Sequence, residues 1–339
     1  QMCIRDSLTM SRIAQKEDLS DPDVIRRFAE LVKDARTLTA LYLLTVADIR
    51  GTSPKVWNGW KGKLLEDLYR YTLRALGGAK PNPDAEIEGR KSEARSLLAL
   101  ASQLPDTEKP LWDTLDLSYF ARHEAGDLAW HARSLWRHIG AERTVVNARA
   151  SSTGEGLQVM VYSPDRPDLF ARICGYFDNA GFNILDAKIH TARNGYALDT
   201  FEVVPSHEGG HGVAPRDLIA LVEHQLGAAL SSAAPLPEPS RGRLSRRVRS
   251  FPITPRVSLR PDERGQRYLI SVSTSDRTGL LYSIARILAQ HSVNLELAKI
   301  MTLGERVEDT FVVAGSALRH ARTQLQIEGE LLDAASAVR

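Results

Sequence analysis

The chain has 339 residues, 44 Lys and Arg against 42 Asp and Glu, and a formal net charge of +2. So small a balance gives no chain-wide attraction for nucleic acid, and 43% hydrophobic with 25% charged residues is ordinary for globular protein, which excludes a mainly disordered chain. No apolar run approaches the ~20 residues that span a bilayer, so no nucleic acid and no membrane is expected as a partner, and at roughly 150 residues per domain two or three domains are expected.

Residues Gln1-Met2-Cys3-Ile4-Arg5-Asp6-Ser7 lack the basic and apolar regions of a secretory signal. They run straight into a helical pattern at Leu8, and residues 1–7 read as a non-native start. Cys3 and Cys174 are the whole cysteine complement, too few for a disulfide framework or a cysteine zinc site, so a reducing, cytoplasmic setting is expected. Asp21-Pro22-Asp23 starts a helix with Pro in its first turn, and Val24, Ile25, Phe28, Leu31 and Val32 form its apolar stripe. Leu38 to Ile49 is apolar nearly all round and predicts a central buried helix. Further helices are predicted over Trp57–Leu76, Glu86–Leu104 and Tyr119–Ile139, with Trp57 and Trp60 as packing anchors and the first boundary near Arg149–Gly156.

The second half repeats itself. Asp165-Arg166 recurs as Asp276-Arg277, Leu169 as Leu280, Ile173 as Ile284, Asn183 as Asn294 and Ala187-Lys188-Ile189 as Ala298-Lys299-Ile300, all displaced by 111 positions. After one deletion Asp199-Thr200-Phe201 recurs as Asp309-Thr310-Phe311, displaced by 110. Each copy reads as strand, helix, strand, strand, helix: Leu157–Tyr162 and Tyr268–Ser273 alternate with period two, while Leu169, Ile173, Tyr176 and Phe177 fall at helical spacing. That order makes a small α+β sandwich with helices on one face of an antiparallel sheet. Between the copies, Pro235–Gly265 holds eight Arg against three acids; without interleaved aromatics it reads as a solvated linker with an edge strand near Ile253–Leu259. His207-Glu208-Gly209-Gly210-His211-Gly212 reads as a flexible connection and Cys174 as a small core residue. His123 and His131 fall at helical spacing and are expected in packing or partner-facing roles rather than as metal ligands.

The turn Ser163 to Leu169 joins the first strand of copy one to a helix N-terminus, where free N–H groups and the helix dipole favour an anionic group, and Asp276 of copy two repeats Asp165. Asn183 and Asn294 open the following strand, expected close to that turn, with amides able to donate and accept. A free amino acid fits such a site. The alternative, open on these residues, is that Asp165 and Asp276 cap helices and the Asn residues make turns.

Asp-Arg-Pro-Asp-Leu-Phe with Gly-Phe-Asn-Ile, and Asp-Arg-Thr-Gly-Leu-Leu with Val-Asn-Leu, resemble tandem ACT domains, ferredoxin-like amino-acid sensors that often bind ligand between paired units. The resemblance makes Asp165, Arg166, Asp168, Leu169, Gly181, Phe182, Asn183 and Ile184 candidates in copy one. In copy two the candidates are Asp276, Arg277, Gly279, Leu280, Val293 and Asn294, with Ser292 standing where Gly is common. Upstream, Asp21 to Ile25, Leu44 to Ile49, Trp57 to Lys61, Tyr119-Phe120 and Ala129-Trp130-His131 resemble the bifunctional uridylyltransferase/uridylyl-removing family of PII nitrogen signalling. The fold class implied is α+β: an all-helical N-terminal part, the remnant of an HD phosphohydrolase domain, then two ferredoxin-like ACT domains. The expected segments are 8–78 as the end of the HD domain, 79–150 as a helical connector, 156–232 and 267–339 as ACT domains, and 233–266 as the basic linker.

That family implies UMP transfer to PII and its hydrolytic removal, Mg or Mn in the intact enzyme, glutamine as effector, PII as partner, and ACT–ACT pairing. No His-Asp dipeptide is present and the first His is His123, so the HD metal set is incomplete, the fragment is expected to be catalytically incomplete and to hold no metal, and Asp48 is left as its orphaned last ligand. The alternatives are a free-standing amino-acid-binding module and the regulatory end of a ppGpp synthetase/hydrolase.

Overall fold

A computed structural model describes residues 9–14, 19, 22–52, 59–77, 83–152, 156–206, 215–232, 234–239, 253–262, 267–300, 302–303 and 306–336. Residues 1–7, Trp57, the side chain of Trp60, the His207–Gly212 loop and residues 240–252 of the basic linker lie outside that description. The chain divides into two compact units. The first holds the described residues up to Pro105 with Leu117–Trp130; the second holds Asp106–Asp116, His131–Ser152 and the described residues from Gly156 on.

The first unit is helical: α1 (Pro22–Val32), α2 (Ala35–Thr52), α3 (Gly59–Leu76) and α4 (Pro83–Leu100), with the shorter α6 (Leu117–Arg122) after the intervening α5 (Lys109–Trp112) of the second unit. Pro22 opens α1, where its missing N–H costs nothing. Val24, Ile25, Phe28 and Val32 of α1 are buried with Leu38 and Leu41 of α2 and Leu65 and Leu68 of α3, a stripe at three-to-four-residue spacing. Asp34 starts α2 by accepting the Thr37 N–H at 2.8 Å, and the Thr37 bonds hold its carboxyl below the usual carboxylate range.

The expectation of a central buried helix at Leu38–Ile49 is not met. Leu38, Leu41 and Thr45 face the core, but Leu43 is 61% exposed, Leu44 39% exposed, and Asp48 lies on the exposed side. The run is apolar all round, yet the described packing supplies neighbours for one stripe only. Tyr119–Ile139 is likewise not one helix. α6 stops at Arg122 and α7 (Ala125–Leu135) restarts, with the His123 ring bonded to the Tyr119 carbonyl at 2.9 Å and the Asp127 and Leu128 N–H groups turning to Glu124 O. Arg90 of α4 donates to the Phe120 and Ala121 carbonyls at 3.1 and 2.6 Å, satisfying the end of α6.

The second unit carries two antiparallel sheets. β1 (Val145–Ala150), β2 (Leu157–Pro164), β3 (Phe182–Lys188) and β4 (Tyr196–Pro205) pair in the order β1-β2-β4-β3, with α8 (Leu169–Asn179) and α9 (Pro215–Ser231) in copy one. β5 (Arg256–Pro261), β6 (Tyr268–Ser275), β7 (Asn294–Lys299), the short β8 (Thr302–Leu303) and β9 (Arg306–Ala314) pair in the order β5-β6-β9-β7, with β8 on β9. The matching helices are α10 (Leu280–Gln290) and α11 (Ala321–Ser336). This is the α+β arrangement of two ACT-like ferredoxin domains. The first sheet begins earlier than residue 156, because Val145–Ala150 pairs in full register with Leu157–Tyr162. The repeat extends to irregularities: both inner edge strands slip register, between Ile184 and Asp186 in β3 and between Leu295 and Leu297 in β7, again 111 apart.

Arg166 and Arg277 do the same work in each copy. Arg166 donates to the Leu230 carbonyl at 2.7 Å and Arg277 to that of Ala334, so each ties the first turn to the last turn of the copy's second helix, where a cation also meets the negative dipole end.

Candidate functional site

The sheet register decides which residues can meet. In copy one, Pro164 at the turn end of β2 pairs with Tyr196 of β4, whereas Phe182 at the start of β3 pairs with Pro205. Helix α8 carries the chain back along the sheet, so Asn183 opens its strand at the far end from its own turn, a separation of roughly 25–30 Å at ~3.3 Å per residue. Copy two repeats this, with Ser275 opposite Arg306 and Asn294 opposite Ala314. The expectation that each Asn lies near the turn of its own copy is therefore wrong, and a single copy cannot bring the two together.

Two copies can. Their inner edge strands β3 and β7 are neighbours, and α8 packs against α10. Between them lies a cavity of about 120 Å³. From copy one it is lined by Phe182, Asn183, Ile184 and Leu185 at the start of β3, with Cys174, Phe177 and Asp178 of α8. From copy two come the turn Asp276, Arg277, Thr278 and Gly279, the first residues of α10 through Tyr282, and Ile300, Val307 and Asp309. Of the candidates named from sequence, Phe182, Asn183, Ile184, Asp276, Arg277, Gly279 and Leu280 converge here, and Asp165, Arg166, Asp168, Leu169, Gly181, Val293 and Asn294 are not in this lining.

The turns are not held by helix-capping carboxylates. The N-cap residues are Asp168 and Gly279, three positions past Asp165 and Asp276, and neither helix receives a side-chain cap bond. Asp165 instead accepts the Thr191 hydroxyl at 3.1 Å, and Asp168 pairs with Arg172 at 2.6 Å and Arg166 at 3.2 Å. Gly279 takes φ = +79°, a left-handed backbone that suits glycine. At the helix-to-strand corner Gly181 has φ = +71°, and its counterpart Ser292 is held at +51°.

The walls of the cavity are firmly built. Tyr282 lies against α8 where residue 175 is glycine: a Cβ there would come within 2.8 Å of the ring. Its hydroxyl donates to the Pro237 carbonyl at 2.7 Å, and burial pushes its pKa up to about 12. Arg286 bonds the same carbonyl and Glu238, while Arg172 bonds the carbonyls of Ser232 and Ala234, so the segment after α9 is strapped to both helices. Burial drives the Cys174 thiol well above its ordinary pKa, consistent with a core residue rather than a nucleophile. Burial also lowers the Arg277 pKa, opposed by Asp178, and its Nε finds no hydrogen-bond partner among the described residues.

Sequence reasoning did not single out Asp309, Asp178, Cys174 or Tyr282 as parts of a site. The repeated Asp-Thr-Phe signalled Asp309; nothing in one copy alone signalled that its strand position opens on the other copy.

No group of three or more His, Cys, Asp and Glu residues fit to hold a metal occurs among the described residues. Asp48, exposed on α2, does not by itself make a metal site, so no chemistry is assigned to a metal in this chain. His123 is buried and bonded to Tyr119, and His131 is buried with its ring 3.3 Å from the Thr200 hydroxyl. No helix among the described residues is long and apolar enough to cross a membrane.

Residues 82–134, covering α4 to α7, match the family model described as the uridylyltransferase GlnD fifth domain. The bifunctional uridylyltransferase/uridylyl-removing enzymes of Burkholderia mallei (strain SAVP1) and Burkholderia pseudomallei (strain K96243) are each 60% identical over 331 residues, 98% of this chain. The chain belongs to this uridylyltransferase/uridylyl-removing family. It spans 38% of the length of those relatives. The family match covers the helical unit and both ACT-like copies together, so the cavity lies within the shared region.

Proposed function

We propose that this chain is the regulatory part of a bifunctional uridylyltransferase/uridylyl-removing enzyme, and that its paired ACT copies bind glutamine in the cavity between them. The observation that carries the reading is the meeting of Asn183 from one copy with the turn Asp276–Gly279 from the other across one cavity. The amide of Asn183 can both donate and accept, as a carboxamide ligand requires. The helix that starts at Leu280 offers a positive dipole end to a carboxylate. In the intact enzyme, with Mg or Mn at its catalytic sites, UMP is added to PII or removed from it, and glutamine favours removal. The chain works in the cytoplasm.

A ligand between two copies also has a physical route to control. It shifts an equilibrium only by its difference in affinity for the two domain arrangements; a hundredfold preference is worth about 2.7 kcal/mol. Calorimetric titration of the chain with glutamine, glutamate and other amino acids tests the reading. Saturable binding selective for glutamine is expected; silence with every amino acid from a folded sample contradicts it.

A further inference from the structure

We propose that the open edge of β5 takes up, as an added strand, an extended segment of a partner protein in which acidic and apolar residues alternate. β1 and β5 hold the same place, each the end strand of its sheet, and Ala148 stands opposite Val159 as Leu259 stands opposite Ile270. An end strand turns alternate N–H and C=O groups away from its one neighbour, a template for another chain unless something covers them. Copy one covers them. Glu223 of α9 accepts the Ala148 N–H at 2.7 Å and the Asn147 side-chain amide at 3.1 Å, and the Ser134 hydroxyl donates to Asn147 at 3.2 Å. In copy two this cover is missing among the described residues. Glu223 follows Val222 in the buried stripe Val222, Leu226 and Leu230; in α11 the stripe is Ile327, Leu331 and Ala335, and Glu328, in the matching place, bonds nothing on β5. The Ala148 N–H points away from β2, so by the shared register the Leu259 N–H points away from β6, and with it that of Val257.

The side chains of β5 choose the partner. Arg256, Ser258 and Arg260 are exposed, while Val257 and Leu259 are half-buried against the core. Neither Arg256 nor Arg260 has an ion-pair partner among the described residues, whereas Arg267 is paired with Glu296 at 2.6 Å and Arg306 with Glu308 at 2.8 Å. An added strand is therefore best matched by acids opposite Arg256 and Arg260 and by apolar side chains opposite Val257 and Leu259, whose burial it completes. A second copy of β5 is the wrong partner, because antiparallel pairing about Ser258 sets Arg256 opposite Arg260. β5 is not in the cavity lining, so this edge stands independently of glutamine binding.

The test adds to the full chain a short fluorescein-labelled peptide in which glutamate and valine alternate, with binding read by anisotropy. Two comparison peptides accompany it: one alternates lysine and valine, and one regroups the first peptide's residues into a block of glutamates and a block of valines. The alternating acidic peptide is expected to bind, to bind about tenfold more weakly to R256E/R260E, and to protect the Val257 and Leu259 amides from hydrogen exchange. The variant should keep the wild-type urea midpoint, since both side chains are exposed. Equal binding of the lysine peptide overturns the charge match. Equal binding of the block peptide, or binding without protection at β5, overturns strand addition in favour of diffuse attraction to arginines such as those within residues 240–250. Dimerisation of the chain with protection of the same amides overturns the acidic partner in favour of a second copy, and silence with all three peptides overturns the proposal outright.

Discussion

Thr200 and Thr310 hold the same position on the central strand of the two copies, in the same Asp-Thr-Phe context, and meet different surroundings. Thr200 is 3% exposed, with the His131 ring 3.3 Å from its hydroxyl, while Thr310 is half-buried and faces outward from its sheet. The pattern extends along the neighbouring strand: Met160 and Tyr162 are fully buried where copy two has the half-buried Ser271 and Ser273. The reason is local to the unit. Residues 106–116 and 131–141 cover the outer face of the first sheet, with the His131 ring at the Thr200 hydroxyl, Arg193 N–H on the Thr114 carbonyl and the Tyr196 hydroxyl on the Ala141 carbonyl. A repeat thus fixes the fold of each copy without fixing its environment, and the outward positions have diverged to match.

The comparison breaks most visibly by putting a charge on the outer face of each sheet. Thr200→Lys buries an ammonium and loses the His131 contact, so a loss of about 3 kcal/mol or more is expected in urea unfolding. Thr310→Lys should stay within about 0.5 kcal/mol. Equal losses at the two sites would show that both faces are covered.

The next contrast is electrostatic. Burial pushes the Asp199 carboxyl up to about 8, with Asp165 adding to the rise and the His190 N–H opposing it. A carboxyl whose folded pKa lies above its unfolded value keeps its proton in the folded protein. Its stabilising contribution is complete below the unfolded value near 4 and is lost as pH rises toward about 8. Unfolding measured at about pH 5.5 and about pH 7.5 should therefore show wild-type stability falling by about 1.4 kcal/mol per pH unit from this group, a slope that D199N removes. An unchanged slope in the variant would place the titration elsewhere.

A smaller effect sharpens the junction itself. Gly175→Ala drives a Cβ into the Tyr282 ring, which is itself fixed by its bond to Pro237, so about 1–3 kcal/mol of overpacking is expected. Smallest is the exchange at the helix-to-strand corner. Ser292→Gly relieves a left-handed serine and should stabilise copy two by up to about 1 kcal/mol, whereas Gly181→Ser should cost copy one a similar amount. Both are read as shifts in the urea midpoint.

Much of the architecture was legible because the repeat carries period-two and period-3.6 patterns in both copies, and agreement between copies filters accident. What was not legible depends on partners distant in sequence. Val145–Ala150, expected within the helical connector, is a strand because it pairs with Leu157–Tyr162. The register slips at Ile184 and Leu295 exist only relative to β4 and β9. Asp48 lies in an apolar run, but which stripe of α2 is covered depends on α1 and α3.

The site shows the same division. Its residue types were readable in the turns and in Asn183, but not the end of the sheet at which each falls. Proximity in sequence suggested one turn with one Asn; the return path of α8 separates them, and only the second copy restores the meeting. Asp309 was hidden for the same reason.

Hydrogen exchange of the chain with and without saturating glutamine tests this inter-copy site most directly. Residues 182–185 of copy one and 276–282 of copy two should become protected together, with the same glutamine dependence. Protection that pairs 182–185 with the turn 165–169 of its own copy, or no protection at either segment, would contradict it.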